Sequence, residues 1–277
     1  MSIFGDPFHF VSGAASFPYE YQIAQSARFT RSESSYLSRT FGSGGNLRSW
    51  TFSFWFKLTG AAGAFSNNQY YIYTVKDNAA GAYDTMIFDV NTGSNDKVFY
   101  NSAAGNYYVP NAIITDTSAW FHMVYVWDMD NGTQADRIRI WLNGNRLAKL
   151  EGTEGNTRDS QFNDSSHAHY IGARQDNNAS YYFDGYLAEV HWLDGYSYDA
   201  TYFGESKDAP GGGSVWVPID YKTNTGNYGT TGYYLKFENA SDLGNDSSGN
   251  NNDWTANNMG TDHQMADSPT FDDAGSG

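Results

Sequence analysis

The clearest alternation of apolar and polar positions lies between residues 120 and 150. In residues 137–142, Ile138, Ile140 and Leu142 alternate with two arginines and a tryptophan, the period of two expected of a strand with one buried face. An Asn-Gly pair follows at residues 143–144, and it favours a type I′ turn because both central residues then take positive φ. The pattern therefore predicts an antiparallel hairpin that continues into residues 146–150.

The run just before it, residues 120–127, is apolar or aromatic at nearly every position. We therefore predict a central strand that is covered on both faces. One set of side chains faces the core, and the other must be covered by loops, an arm or a partner. The two sets are Phe121, Met123, Tyr125 and Trp127, and Trp120, His122, Val124 and Val126.

Residues 50–57 form a second strongly patterned strand. Its one face carries four aromatic residues, Trp50, Phe52, Phe54 and Phe56, so we expect that face to point into the core. Trp55 lies on the polar face, where either a loop covers it or it forms an exposed stacking platform.

Short strand candidates separated by Asn, Gly and Asp turns occur along the rest of the chain. They are residues 26–30, 35–39, 70–75, 85–90, 98–100, 106–109, 169–173, 182–194, 215–218 and 232–238. This spacing is typical of an all-β, antiparallel two-sheet sandwich or barrel. Leu187 is out of phase with Ala188, Val190 and Trp192, which predicts a β-bulge near Ala188.

One short helix is predicted, over residues 199–207 with Asp199 as its N-cap, and residues 211–214 have the composition of a flexible spacer. Residues 26–259 are expected to form a single sandwich domain, and residues 260–277 a mobile, polar and acidic tail.

Residues 1–25 lack periodicity and carry isolated aromatics. We expect an extended N-terminal arm that is ordered by packing on a partner or on the chain's own body, or else a mobile tail. Its candidate docking residues are Phe4, Phe8, Phe10, Phe17, Tyr19 and Tyr21.

The charge and amino-acid composition of the chain argue against several classes of binding partner. The 31 acidic residues exceed the 16 basic ones and give a net charge of −15, which argues against binding to nucleic acid or to an anionic membrane surface. Cysteine is absent, which excludes a disulfide framework. No apolar run approaches the roughly 18 residues of a membrane span, so we expect no membrane insertion, and we expect no secretory signal at this N-terminus.

Three segments, residues 120–128, 137–144 and 183–192, resemble successive strands of the laminin-G-like, concanavalin A-like jelly rolls. These elements are a Trp-x-His strand, a strand ending in Asn-Gly, and a Gly-x-Leu-x-Glu strand. Residues 26–29, 36–40, 50–57, 216–218, 232–237 and 246–255 carry a more specific resemblance, to virion proteins of tailed bacteriophages, particularly marine ones. The resemblance covers roughly residues 20–270.

That resemblance implies a non-enzymatic virion structural protein, either a capsid decoration or a head or tail fibre component. It implies a location on the virion surface, other virion proteins as partners, and a homo-oligomer that is usually trimeric. In many laminin-G-like domains the segment similar to residues 234–250 comes first, whereas here it comes last. We expect it to close the same sandwich from the C-terminal side.

The resemblance also implies calcium as a possible cofactor, held by aspartates and loop oxygens. The candidate sets are Asp128, Asp130 and Asp136 in the loop after the central strand, and Asp246, Asn250 and Asp253 near the C-terminus. Solvated turn residues explain both sets equally well.

The alternative function is a carbohydrate-binding module for host-surface glycan, with Trp55, Tyr181 or Tyr182 stacking on sugar rings. A more remote alternative is a glycoside hydrolase that uses Glu189 and Asp194. Their Cα atoms lie about 16 Å apart along a strand, whereas a retaining enzyme needs its carboxyls about 5 to 5.5 Å apart, so we expect no enzyme.

A last candidate is a pair of histidines. His167 and His169 have a spacing that can hold zinc, but no third ligand is apparent, and we interpret them as an exposed polar pair.

Overall fold

The structure, a computed structural model, describes residues 19–59, 69–76, 83–89, 97–101, 107–110, 114, 116–152, 159–174, 181–209 and 212–270. It is all-β, with antiparallel pairing throughout the described strands. The strands are β1 Ser26–Phe29, β2 Tyr36–Arg39, β3 Ser49–Leu58, β4 Gln69–Lys76, β5 Tyr83–Asp89, β6 Lys97–Asn101, β7 Tyr107–Pro110, β8 Phe121–Asp128, β9 Ile138–Leu142, β10 Asn145–Arg146, β11 Lys149–Gly152, β12 Ala168–Ile171, β13 Ala173–Arg174, β14 Tyr181–Tyr182, β15 Gly185–Asp194, β16 Gly204–Asp208, β17 Ser214–Pro218, β18 Tyr233–Leu235, β19 Thr255–Asn257 and β20 Gln264–Met265. One α-helix, α1, spans Tyr221–Asn224, and short 3₁₀ helices span Arg31–Glu33, Gln134–Asp136, Gln161–Asn163, Ala200–Tyr202 and Thr261–His263.

Two eight-stranded sheets form an antiparallel sandwich, one of the two architectures that the pattern predicts, and the fold is the jelly roll that the resemblance implies. Sheet A has the order β10-β9-β8-β3-β15-β1-β20, and β18 also pairs with β15. Sheet B has the order β11-β7-β6-β5-β4-β12-β2-β19. Two small hairpins, β13–β14 and β16–β17, lie outside these sheets.

The core lies between the sheets and is largely aromatic. The predicted core face of β3, formed by Trp50, Phe52, Phe54 and Phe56, is buried there at 1% exposure or less. The Trp50 and Trp192 rings stack with centroids 4.8 Å apart, and such pairs add about 0.5–1.5 kcal/mol beyond the area that they bury.

Strand β8 is central, between β3 and β9, and both of its faces are covered, as predicted. Met123, Tyr125 and Trp127 face the core between the sheets. Val124 and Val126 lie on the opposite face, in a second apolar cluster with side chains from residues 193–234. Sheet A therefore carries a third layer on its outer face, supplied by the same chain.

The Asn-Gly turn is confirmed, since Asn143 and Gly144 have φ of 46° and 75° and β10 pairs back onto β9. The strand after it is shorter than predicted. It ends at Arg146, and the chain then crosses to sheet B, where Lys149–Gly152 pairs with β7. This crossing links the two sheets, which a local alternation pattern does not reveal.

The predicted bulge in β15 is confirmed by the shift of register between Ala188 and His191. Glu189 takes φ of 48° there. As a result Leu187, Val190 and Trp192 all reach the core, while Ala188 points to the opposite face. The grouping of Ala188 with Val190 was therefore wrong.

The C-terminal segment closes the same sandwich, because β18 pairs with β15 and β19 pairs with β2. Part of the predicted tail, residues 260–270, also lies against the body. Strand β20 pairs with β1, and the buried Ser268 donates a hydrogen bond to the carbonyl of Ile23. Residues 271–277 lie outside the described part of the chain.

The helix prediction for residues 199–207 is only partly confirmed. Asp199 does cap a 3₁₀ helix by accepting from the backbone N–H of Thr201, but Gly204–Asp208 is a strand that pairs with Ser214–Pro218. The predicted glycine spacer contributes to the turn of this hairpin, where Gly213 accepts from the N–H of Ala209. Helix α1 was not predicted, although Asp220 caps it with an ordinary aspartate N-cap.

Candidate functional site

The hairpin β16–β17 lies over the outer face of sheet A and is held there by Trp216. The Trp216 ring packs directly against two glycines. A Cβ placed on Gly144 or Gly204 would lie 2.3 Å or 2.5 Å from that ring. Only glycine permits this approach, and Gly144 also takes positive φ.

A cleft of about 470 Å³ opens between this hairpin, the β9–β10 turn and the start of β8. Its volume is in the range of small-ligand sites. The lining comprises Trp55, Trp120, Asn143, Gly144, Asn145, Ser206, Ser214, Val215 and Trp216. We call it the tryptophan cleft.

Trp55 lies at the base of the tryptophan cleft and is only 5% exposed. Its ring stacks on His122 with centroids 4.9 Å apart, and Trp216 packs against the same cluster. Of the two alternatives for Trp55, the covering segment is therefore the one observed, and an open stacking platform is not.

The other two indoles of the cleft are half-buried, and each N–H is already bound by the protein. Trp120 Nε1 donates to Asp267 Oδ1 at 2.9 Å, and Trp216 Nε1 donates to His122 Nδ1 at 3.0 Å. These bonds fix the orientation of both rings, so what the indoles offer a ligand is their apolar surface.

His122 and Ser53 form a buried pair beneath the cleft, with Nε2 and Oγ 2.8 Å apart. Because Nδ1 accepts from an indole N–H, the proton of the neutral ring resides on Nε2, which donates to Ser53. Burial, with a smaller contribution from nearby His191, lowers the pKa of His122 to about 3. The imidazole therefore cannot take a proton from Ser53, so the pair lacks the activated nucleophile of a hydrolase.

The N-terminal segment covers a second polar group on this face, the carboxylate of Glu189. Tyr21 donates to Glu189 Oε2 at 2.9 Å and Tyr234 donates to Oε1 at 2.5 Å, while His191 Nε2 lies 3.5 Å from Oε2. Burial and the Glu189 charge raise the pKa of Tyr21 and of Tyr234. Of the predicted arm residues, Tyr21 thus packs on the chain's own body.

Among the remaining predicted arm residues, Tyr19 is half-buried. Phe4, Phe8, Phe10 and Phe17 lie outside the described residues.

A family model described as the Concanavalin A-like lectin/glucanases superfamily matches residues 31–196, which is more than half of the chain. The chain belongs to the concanavalin A-like lectin/glucanase superfamily. A search of curated proteins finds no match.

Solved structures resemble this superfamily member at low sequence identity. A proposed carbohydrate-binding protein from Bacteroides ovatus aligns with a TM-score of 0.52 and 15% identity, over 86% of this chain and 59% of that one. A heptameric SAP-like pentraxin from Limulus polyphemus aligns at 0.46 and 16% identity, over 64% and 79%. Mouse laminin α1 domains LG4-5 align at 0.42 and 12% identity, over 64% and 44%. The chain thus spans about three fifths of the Bacteroides protein.

The predicted stacking residues do not come together in this superfamily member. Trp55 lies under the hairpin, whereas Tyr181 is paired with Arg174, whose guanidinium lies 5.1 Å from the Tyr181 ring centroid. Tyr182 is 8% exposed and packs near Tyr36. The two tyrosines therefore form a separate aromatic group outside the tryptophan cleft.

The first calcium set does not converge on one point. Asp128, Asp130 and Asp136 each contact a different arginine, namely Arg139, Arg48 and Arg146, at 3.3, 2.7 and 2.6 Å. These carboxylates are neutralised by cations rather than directed at a shared site.

The second set organises its own loop. Asp246 accepts from the backbone N–H groups of Tyr234, Ser248 and Asn252 and from the Ser248 hydroxyl. Asp253 accepts from the N–H of Asp246, and the Asn250 amide donates to two carbonyls. Within the described ranges no group of three or more acidic or histidine side chains is placed to hold a metal.

Asp194, the second carboxylate of the glucanase alternative, is a structural residue. Its Oδ1 accepts from the N–H of Asn46 and the amide of Asn163, and its Oδ2 accepts from the N–H groups of Thr230 and Thr231. Asp194 and the bulged Glu189 therefore have separate partners.

The interpretation of the histidine pair as exposed was wrong for His169, which is fully buried. Its Nε2 donates to the Asp164 carbonyl, and its Nδ1 accepts from the Tyr73 hydroxyl. Burial lowers the pKa of His169 to about 4. Both ring nitrogens are used within the fold, so neither is available for zinc.

Sequence reasoning did not identify the cleft itself. Trp120 and Trp216 were recognised only as parts of strands, and the Asn-Gly turn only as a hairpin signal. The sequence does show many aromatic residues and a glycine at position 144, which could have indicated an aromatic ring packed on that turn. The contact of Gly144 with the Trp216 ring, however, joins residues far apart in the chain. No helix in the described part of the chain is long and apolar enough to cross a membrane.

Proposed function

We propose that this chain is a non-enzymatic glycan-binding domain whose ligand lies in the tryptophan cleft. The observation that carries the proposal is the combination of two half-exposed indole surfaces with amide and hydroxyl groups in one cleft of about 470 Å³. Aromatic faces bind the apolar C–H faces of sugar rings, and a few placed polar groups orient the hydroxyls. The Bacteroides structure supports this as a likeness of fold.

Three contacts support the absence of catalysis. Glu189 is covered by Tyr21 and Tyr234, and Asp194 accepts from four N–H donors. Ser53 accepts a hydrogen bond from His122 Nε2 rather than donating one to it. Most glycosidases place two carboxyl groups at the glycosidic bond, one as acid and one as base or nucleophile, whereas Glu189 and Asp194 are engaged within the fold.

The test is a glycan array with the full chain, followed by calorimetry on the glycans that are retained. Trp120→Ala removes one wall of the cleft and should reduce retention at least tenfold. Tyr202→Ala is the matched control, because Tyr202 is 38% exposed but does not line the cleft. Equal loss in both variants, or no retention of any glycan by the unchanged protein, would refute the proposal.

For the biological setting we propose the surface of a tailed bacteriophage particle, where the domain is displayed as a decoration or fibre component. The support is the resemblance of residues 26–29, 50–57, 216–218 and 246–255 to virion proteins of such phages. In this setting residues 1–18 dock onto other virion proteins, the protein assembles as a homo-oligomer such as a trimer, and the glycan belongs to the host surface.

The arm is tested by a deletion that ends at residue 18, because Tyr21 and Ile23 belong to the folded body. Circular dichroism should show an unchanged sandwich, while incorporation into particles should fail. A truncated protein that is incorporated as well as the full chain would remove the proposed role of the arm.

A further inference from the structure

We propose, resting on the glycan-binding function above, that the tryptophan cleft selects neutral oligosaccharides and binds them without a metal ion. The inference comes from the charges in and around the cleft, which the proposed function does not by itself specify.

The described residues that line the cleft carry no ionisable side chain. They are three tryptophans, two asparagines, two serines, one glycine and one valine. An acidic sugar that enters such a cleft loses water around its carboxylate or sulfate without gaining a cation in return. Burying an unpaired charge is costly, so acidic sugars should be disfavoured at contact range.

Among the described residues, the cations next to the cleft lining are already paired. Arg146, next to Asn145, contacts Asp136. Lys57 forms an ion pair with Asp267, the residue that also binds Trp120. Lys207, next to Ser206, is paired with Glu20 and Glu205.

The remaining charges add to the discrimination. Asp208 is exposed and lies directly across the hairpin from Ser214. With a net charge of −15, the domain repels anions before contact as well.

The polar groups of the cleft suit sugar hydroxyls. Ser206 and Ser214 are exposed, and in the described structure their hydroxyls have no protein partner. A hydroxyl both donates and accepts, as a sugar hydroxyl does. Asn145 donates to the carbonyl of Asn143, which fixes its side chain at the rim, and Asn143 Oδ1 is held by the N–H of His122.

The described lining of this cleft offers a metal ion no carboxylate ligand. Calcium takes about six to eight oxygen ligands, among which carboxylates predominate, whereas the side-chain oxygens of the described lining belong to amides and hydroxyls. The nearby Asp267 is engaged by Lys57 and Trp120. Binding should therefore be insensitive to chelation.

The experiment uses the full chain and pairs of oligosaccharides that differ only in one acidic group, such as lactose against sialyllactose and N-acetyllactosamine against its sulfated form. A further pair consists of a neutral glycan that the array retains and the sulfated or uronic acid derivative of that same glycan. The neutral member of a bound pair should bind at least tenfold more tightly. Its affinity should not change when EDTA replaces calcium.

Asp208→Lys provides the matched gain-of-function variant, because it replaces an exposed anion across the hairpin from Ser214 with a cation and leaves every lining residue in place. It should raise the affinity for the acidic member and leave that for the neutral member within about twofold. Unchanged discrimination in this variant would contradict the electrostatic reason for selectivity.

The outcomes separate the two proposals. Preference for acidic members, or loss of binding in EDTA, would overturn this inference and leave glycan binding intact. Failure to bind any glycan, neutral or acidic, would overturn both.

Discussion

Replacing Asp194 with alanine is expected to lower the free energy of unfolding by about 3 to 6 kcal/mol. The Asp194 carboxylate is 5% exposed and accepts four hydrogen bonds from three separate loops. Two donors, the Thr231 N–H and the Asn163 amide, are buried, whereas those of Asn46 and Thr230 are partly accessible to water. Counting only the buried pair, at about 1.5–3 kcal/mol for each bond to a charged group, yields that range.

Asp194→Asn should cost less, about half as much, because the amide keeps one acceptor oxygen and turns its NH₂ group toward two N–H donors. Asp208→Asn is the matched control. Its side chain is exposed and forms no hydrogen bond in the described structure, so its effect should stay within about 0.5 kcal/mol.

The measurement is urea unfolding of the three variants, followed by tryptophan fluorescence. Local crowding strengthens the expectation, because a Cβ on Gly45 would lie 2.5 Å from Asp194 Oδ2, which leaves the site little room to rearrange. A loss below about 1 kcal/mol in Asp194→Ala would show that water replaces the carboxylate, and would refute the assignment of Asp194 as the anchor of these loops.

Three other predictions concern the buried histidines, Gly144 and Glu189. Acid should destabilise the fold from about pH 6.5 downward. At pH 5 the loss should be about 2 kcal/mol for each of His122 and His169. Their folded pKa values of about 3 and 4 lie below the unfolded value, so the unfolded chain binds more protons. Urea unfolding at pH 7 and 5 measures this loss, which should shrink in His169→Gln. Gly144→Ala should weaken glycan retention and lower the midpoint of thermal unfolding, because its Cβ would strike the Trp216 ring. The unchanged protein should release no reducing sugar from β-glucan, and release that disappears in Glu189→Gln would instead establish a hydrolase.

The loss of stability in acid arises because the unfolded chain binds protons that the folded chain does not. Both histidines are buried and neutral in the fold, so stability is fully present above the unfolded pKa and is lost as pH falls toward the folded values. A stability that stays constant between pH 7 and 5 would show that these rings are not held neutral.

Much of the fold was predictable because it depends on residues that are close together in the sequence. The alternation in residues 50–57, the Asn-Gly turn and the phase break at Leu187 each express a local backbone geometry. The structure confirms each of them as a core-facing strand, a turn with two positive φ values and a register shift.

Other features were not predictable because their cause is not local. Residues 204–208 form a strand only because residues 214–218 pair with them, and the crossing after Arg146 depends on an open edge at β7. The burial of His169 depends on Tyr73, which is 96 residues away in the chain, as well as on the Asp164 carbonyl five residues before it.

The sequence by itself determined the all-β class, the aromatic core face of β3, the two-sided burial of β8 and the bulge at Glu189, because periodicity records which side of a strand meets water. Tertiary structure alone decided the site. It placed the hairpin of Trp216 over His122 and Trp55, brought Trp120 and the Asn143 turn to the same cleft, and assigned the candidate acids to arginines and loop N–H groups. Tertiary contacts occupy most polar groups with protein partners, and only the remaining polar groups can bind a ligand.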